Sequence, residues 1–388
     1  MEKVLSIVYN EFINDNRVLN QAISLDNSGY DVTILALKLR TAVPSEEKIS
    51  GIKVLRIFRG YGNEKIFRIK FIRLVYKILK FNYELYSFVI KNDFSVIHCH
   101  DLNTLQLGFV AKLVRGNRFK LIYDAHEYET QRNLLFGFKK LRMKIKERFL
   151  IKFCDKVITV SDSIADEYVR LYGITKPTVI LNCPVIDPSE EPVKSNVFRK
   201  KFNIPFSNKI FLYQGYLVVG RGIEIILEAF KELDNDKLSL VFMGEGSLLE
   251  TIKNDENYNK SVFIHPFVKS NEIIEHTSSA DFGISFIEDI SLSDRYCLPN
   301  KLFEYIAAGL PVITSGLPEM KKFVETYEVG VSANENSVDG FLAAFKKLLR
   351  LDTDELDSNI SDTRRLYHWG TQEKVLLNLY ESLNIKQI

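Results

Sequence analysis

In the run YCLPNKLFEYIAAGLPVITS, residues 296–315, an asparagine and a lysine open a helical stretch, and a glutamate follows one turn later. Pro299 suits a first helical turn and Gly309 a left-handed helix end, so the helix between them is short and well bounded. Its uncapped backbone N–H groups and positive dipole end suit a phosphate. Asn300 and Glu304 share a stripe at i, i+4, which puts Glu304 one turn behind that phosphate, where a carboxylate accepts two hydrogen bonds from a ribose diol. The same run also gives Lys301 and Glu304 the spacing of a solvated i, i+3 ion pair.

A second helix start offers related chemistry. FLYQGYLVVGRGIEIILEAF is a strand, a loop holding Gly215, Gly220 and Gly222, and an amphipathic helix with Arg221 at its start. Glycines admit close backbone approach and a guanidinium fork suits a diphosphate, although a cation there also reads as surface charge. Ile223, Glu224 and Ile225 follow Gly222, so the G-x-G-x-x-G dinucleotide fingerprint is not met, and no Walker lysine motif occurs. MGEGS sets Gly244 and Gly246 at another strand end, where a flat base can stack on bare backbone, and His265 to Phe267 close the next strand.

Histidines gather in the first half. His126 follows the strand LIYDAH, and His98, His100 and Asp101 surround the end of VIHCH. His98 and His100 are expected to point to opposite faces of an extended chain, which leaves one for any given site and argues against a metal. His100 equally suits a hydrogen-bonded structural role. Arg17, after the first strand, suits either an anionic acceptor or a salt bridge.

These groups need strand ends to hold them. Short β-branched runs alternate with longer periodic ones from KVLSIVY to PTVILN, with helices from Asp15, Glu64, Asn103, Phe138 and Asp162, which is the pattern of a parallel sheet covered on both faces. NCPVIDPSEEPVKS, residues 182–195, interrupts it with three prolines, and a second alternation runs from KIFLYQ to VGVSA. The expected architecture is α/β: two Rossmann-like doubly wound domains, 1–185 and 186–361, facing an interdomain cleft, with a helix over 362–388 crossing back to the first.

Composition limits the partners. With 388 residues and 46% apolar residues the chain can bury two cores, and it holds no apolar run long enough to span a membrane. Four separated cysteines read as buried free thiols of a cytoplasmic protein. Residues 59–152 carry 20 Lys and Arg against 8 Asp and Glu, although the whole chain has a formal charge of only +2. The basic amphipathic stretches at 64–91 and FKKLRMKIKERF suit an anionic membrane surface on its inner face, or an inward-packed helix with a solvated basic side; nucleic acid is not the expected partner.

The order GYLVVGRG, MGEGS, HPFV, PNKLFEYIAAGLPVI and a terminal YHWGTQEKVLLNLYESL resembles retaining glycosyltransferases of family 4 with the GT-B fold, over nearly the whole chain. The resemblance implies transfer of a sugar from a nucleotide-diphosphate donor, UDP-linked, to a saccharide or lipid-linked acceptor, as in surface polysaccharide synthesis, without metal or further cofactor. It gives Glu304 the ribose, Arg221 the diphosphate, and Gly244, Gly246, Phe267 and Val268 the base. His126 is assigned the donor sugar, and His126, Arg221 and Lys301 form the expected catalytic set. Gly215, Tyr216, Gly222, Tyr296, Leu298 and Asn300 complete the donor site. Tyr216 stands where the family commonly has an arginine and Tyr296 where it commonly has a glutamate. Those departures leave open a non-catalytic sugar-nucleotide-binding partner subunit; a third class is a GT-B sugar-nucleotide epimerase, which needs acidic residues around the sugar that the sequence does not offer.

Overall fold

The computed structural model describes residues 1–40, 42–58, 70–133 and 135–384. The chain divides into two compact units, Met1–Ile180 with Glu373–Ile388, and Leu181–Gln372. The division therefore falls between Ile180 and Leu181 instead of after residue 185, and residues 362–372 stay with the second unit. Hydrogen bonds explain this: Leu181 N–H donates to Gln372 Oε1 at 2.8 Å and Trp369 N–H to Pro184 O at 2.8 Å. The proline-rich segment is also clamped, because the buried Arg364 guanidinium donates to the carbonyls of Asp187 and Ala307, both at 3.0 Å. The expected single terminal helix is two, Thr353–Leu366 and Trp369–Glu381, broken where Tyr367 leaves helical geometry at ψ 73°.

In the first unit the strands are β1 (Lys3–Ile7), β2 (Asp31–Lys38), β3 (Glu46–Ile49), β4 (Ile52–Phe58), β5 (Val96–His100), β6 (Lys120–Asp124), β7 (Lys156–Thr159) and β8 (Thr178–Val179). They lie in the order β3-β4-β2-β1-β5-β6-β7-β8. β1 and β5 are buried on both faces, and the polar side chains they carry there, Ser6, His98 and His100, are buried too. The sheet is parallel except for β3, which pairs antiparallel with β4. That hairpin departs from the expected all-parallel pattern; its turn is Ser50-Gly51, both at positive φ, the conformation of a tight two-residue hairpin. The second helix runs Lys70–Lys91, and its expected start at Glu64 and its side chains through Ile78 lie outside the described residues.

The second unit holds β9 (Lys209–Gln214), β10 (Leu238–Met243), β11 (Val262–His265), β12 (Phe282–Ser285), β13 (Val312–Thr314) and β14 (Gly330–Ser332). All pair parallel in the order β11-β10-β9-β12-β13-β14, over a core that includes Phe211, Phe242, Phe303 and Phe341. Each sheet reverses direction of winding beside one central strand, between β1 and β5 and between β9 and β12. Crevices beyond the carboxyl ends of such strand pairs are where open α/β sheets place ligands.

Candidate functional site

In the second unit the region beyond the carboxyl ends of β9 to β12 carries the expected donor-site residues. Its anchor is Tyr305. The phenol lies 3.1 Å from Leu212 O and 3.0 Å from Ile284 O, and accepts the Gln214 N–H at 3.0 Å, so one hydroxyl ties β9, β12 and the Asn300–Ala307 helix together. Leu302, Phe303 and Ile306 bury the same helix against the core. Pro299 is the N-cap residue of that helix and not part of its first turn, because its ψ of 146° is extended. Pro299 gives the turn that follows no side-chain cap, and a helix end of that kind suits an anion.

Glu304, next to Tyr305, accepts a hydrogen bond from Gln214 Nε2, and Gln214 Oε1 in turn accepts from Thr277 Oγ1 at 2.8 Å. The carboxylate is thereby aimed and its amide partner is itself held. Burial raises the Glu304 carboxyl above its ordinary range, against the pull of Gln214 and Lys301. Lys301 Nζ lies 3.7 Å from the centroid of the Tyr213 ring. Burial, helped by the nearby Arg221 charge, pushes its ammonium down to about 7, with Glu304 opposing. No ion pair joins Lys301 to Glu304 at 4 Å or less among the described residues, so the solvated-pair alternative is not what forms.

Arg221 sits in the loop before the Ile223–Leu233 helix, its Nη1 3.6 Å from Asp294 Oδ1. Gly222 is the N-cap residue, and its N–H donates to Glu288 Oε1 at 3.3 Å. One donor expected to meet phosphate is therefore engaged by a carboxylate. Gly244 and Gly246 serve loop packing: a Cβ on them would stand 1.8 Å from Gly215 O and 2.1 Å from Leu217 O. Their bareness lets the 215–217 and 244–246 loops touch, and Leu217 N–H donates to Glu245 O at 2.9 Å across that contact. Tyr216 is 69% exposed and meets the Phe267 ring edge to face at 5.3 Å. Val268 and Leu298 are half-buried against the core. Tyr296 is half-buried at the end of the short Leu292–Arg295 helix, its N–H on Leu292 O at 3.1 Å.

The first unit gathers its polar groups beyond β1, β5 and β6. Asp124, fully buried, accepts from Arg17 Nη2 at 2.9 Å, Arg17 Nε at 3.2 Å and Gln21 Nε2 at 2.8 Å. Burial alone would raise this carboxyl, but Arg17 and His126 hold it well below the usual range. Arg17 also donates to Ile180 O at 2.8 Å and is 4% exposed, so it takes the salt-bridge role and not that of an acceptor-binding cation.

His98 and His100 share a face. Residues two apart in a strand point the same way, so the expectation of opposite faces was a wrong use of the period. Their rings stack at 4.4 Å, and with Asp124 they bring ligand-type atoms within 4.8 Å of one another. The Arg17 guanidinium, bonded to both Asp124 oxygens, would stand beside any cation placed there, so the set fits a hydrogen-bonded network better than a metal. Within it His100 Nε2 meets Ser6 Oγ at 2.8 Å, His100 Nδ1 meets His126 Nε2 at 3.0 Å, and His98 Nδ1 meets Tyr380 Oη at 3.0 Å. His126 keeps 22% of its side chain exposed, with Nδ1 3.9 Å from Asp101. Burial would lower its pKa; Asp101 and Asp124 outweigh that and raise it.

Tyr213, Gln214, Asp294 and Asp124 were not among the expected site residues. A lone glutamine ending the apolar strand KIFLYQ was the available signal for one of them.

Comparison with known proteins bears on family and fold. Residues 15–188 match the family model described as Glycosyltransferase Family 4, and residues 194–366 the model described as Glycosyl transferases group 1. A chitobiosyldiphosphodolichol beta-mannosyltransferase of Candida albicans is 25% identical over 259 residues, 60% of this chain; the match spans only 55% of that relative. Among solved structures, a sucrose-phosphate synthase from Thermosynechococcus elongatus superposes with a TM-score of 0.78 at 17% identity, covering 99% of both chains. The Anabaena protein HepE in complex with UDP-glucose gives 0.72 at 13% identity, covering 98% of this chain and 100% of that one.

Proposed function

The chain belongs to the family 4 glycosyltransferases of GT-B fold, and from that premise we propose that it moves a sugar from a UDP-linked donor to a saccharide or lipid-linked acceptor with retention of configuration. The observation that carries this reading is the convergence of Arg221, Lys301 and Glu304 at two helix starts beyond β9 and β12. Glu304, aimed by Gln214, takes the ribose diol. Arg221 and Lys301 stabilise the diphosphate as its charge grows, which is electrostatic work that needs neither metal nor cofactor. HepE, whose structure contains UDP-glucose, supports a UDP donor.

The bond from the anomeric carbon to the phosphate oxygen breaks as the bond to the acceptor oxygen forms on the same face. The departing phosphate oxygen takes the acceptor proton, so no enzyme carboxylate has to act as nucleophile. His126, held by His100 and near Asp124, keeps the donor-sugar role that the resemblance assigns it. Work at the inner face of the cell membrane, in surface polysaccharide assembly, accords with the basic first half. Product formed from a UDP-α-sugar and analysed by proton NMR tests the stereochemistry: an α-linked product is expected, and a β-linked one overturns retention.

A further inference from the structure

The helix Gly137–Leu150 is built inside out. An ordinary surface helix buries its apolar stripe and exposes its charges. Here Glu147 is fully buried, and its carboxylate accepts hydroxyls from Tyr123 at 2.7 Å, Tyr168 at 2.9 Å and Tyr172. Diametrically opposite on the helix stand Phe138, Leu141, Ile145 and Phe149, within an arc of about 80° by the helical period. They are 79%, 54%, 61% and 54% exposed, and Phe136 just before the helix is 76% exposed. The three tyrosines fix the rotation of the helix, so that the apolar row cannot turn inward without unbonding a buried carboxylate.

Charge says what covers this row. By the same period Arg142, Lys146 and Arg148 flank it, Lys139 and Lys144 stand further round, and the helix has no acidic residue other than the buried Glu147. The surface continues onto the Asp101–Arg115 helix, where Leu113 and Val114 are 65% and 62% exposed. Between the two helices a groove of about 280 Å³ is lined by Phe109, Val110, Phe149 and Leu150, with Lys146 at its side. Apolar rings amid cations, with an apolar groove beside them, fit the headgroup and acyl boundary of an anionic bilayer.

We infer that this helix is the membrane-docking surface, lying in the plane of an anionic leaflet with the Phe138 to Phe149 row among the acyl chains. The inference rests on the membrane placement proposed above and names its surface. Flotation with phosphatidylglycerol vesicles tests it, and requires no sugar chemistry, so its failure leaves the transfer reaction standing. Wild type should float with anionic vesicles at low salt, lose that binding at high salt, and not float with phosphatidylcholine alone. Combined Phe138→Ser, Leu141→Ser and Ile145→Ser should reduce the bound fraction about tenfold or more with an unchanged melting temperature. Combined Lys139→Gln, Arg142→Gln and Lys144→Gln should remove the preference for anionic lipid. Wild type that stays with the aqueous fraction, or serine variants that float equally well, would overturn the inference. Concentration-dependent dimers that the serine substitutions abolish, without flotation, would replace it with a contact between copies.

Discussion

The Lys301 ammonium rests 3.7 Å from the centroid of the Tyr213 ring, on an aromatic face and not on a carboxylate. An ammonium so placed is poorly compensated, and its pKa falls to about 7. Between about pH 7 and its ordinary 10.5 the unfolded chain holds a proton that the native chain lacks, so this group's contribution to stability rises with pH across that window. Nucleotide binding moves the other way, because a diphosphate selects the charged form. UDP affinity should weaken as pH rises above about 7, by up to about tenfold per unit until binding the neutral form limits it. Calorimetric titration checks this, and Lys301→Met should flatten the dependence; a flat wild-type profile would remove Lys301 from the diphosphate.

Glu304→Ala should weaken UDP binding by roughly 2 to 4 kcal/mol, since a carboxylate that accepts two hydroxyls is lost. Gln214→Leu should reproduce part of that loss, because Gln214 aims the carboxylate. Unchanged affinity in both variants would reassign the ribose.

Tyr305→Phe should lower stability by about 1 to 3 kcal/mol, as the carbonyls of Leu212 and Ile284 and the Gln214 N–H lose a shared buried partner. Denaturant titration reads this directly. A fall in UDP affinity alongside it would follow from the loss of fixed geometry between Gln214 and Glu304.

The departures at Tyr216 and Tyr296 bear on donor choice. A phenol donates one hydrogen bond where a carboxylate accepts two, so the preferred sugar should be less polar on that edge, as a deoxy or N-acetylated sugar is. Tyr296→Glu should improve use of glucose-like donors by up to roughly tenfold relative to the native donor. An unchanged ranking would show that Tyr296 does not face the sugar.

Much of this site is local in the chain and was legible there. Pro299 to Gly309 carries its own start, stop and charged residues, so the helix and Glu304 could be read together. What binds Glu304 could not: Gln214 is 90 positions away, and only the parallel pairing of β9 and β12 brings them together. The β3 and β4 hairpin was missed although Ser50-Gly51 marks its turn, because the short run EEKI is polar and reads as loop. His98 and His100 were misread through the wrong period and not for want of signal. For Gly137–Leu150 the periodicity separates two faces without saying which lies inward. The decisive facts are the hydroxyls of Tyr123, Tyr168 and Tyr172, which belong to other elements.

The central claim is that Arg221 and Lys301 drive departure of a nucleoside diphosphate from a sugar. Supplying wild type with a panel of nucleotide sugars and saccharide or lipid-linked acceptors, and measuring nucleoside diphosphate release, tests it most directly. Acceptor-dependent release from one donor is expected, with Arg221→Ala lowering kcat more than it raises KM. Nucleotide binding with no release from any donor would contradict the claim and leave a binding subunit, and release accompanied by an epimerised sugar would leave an epimerase.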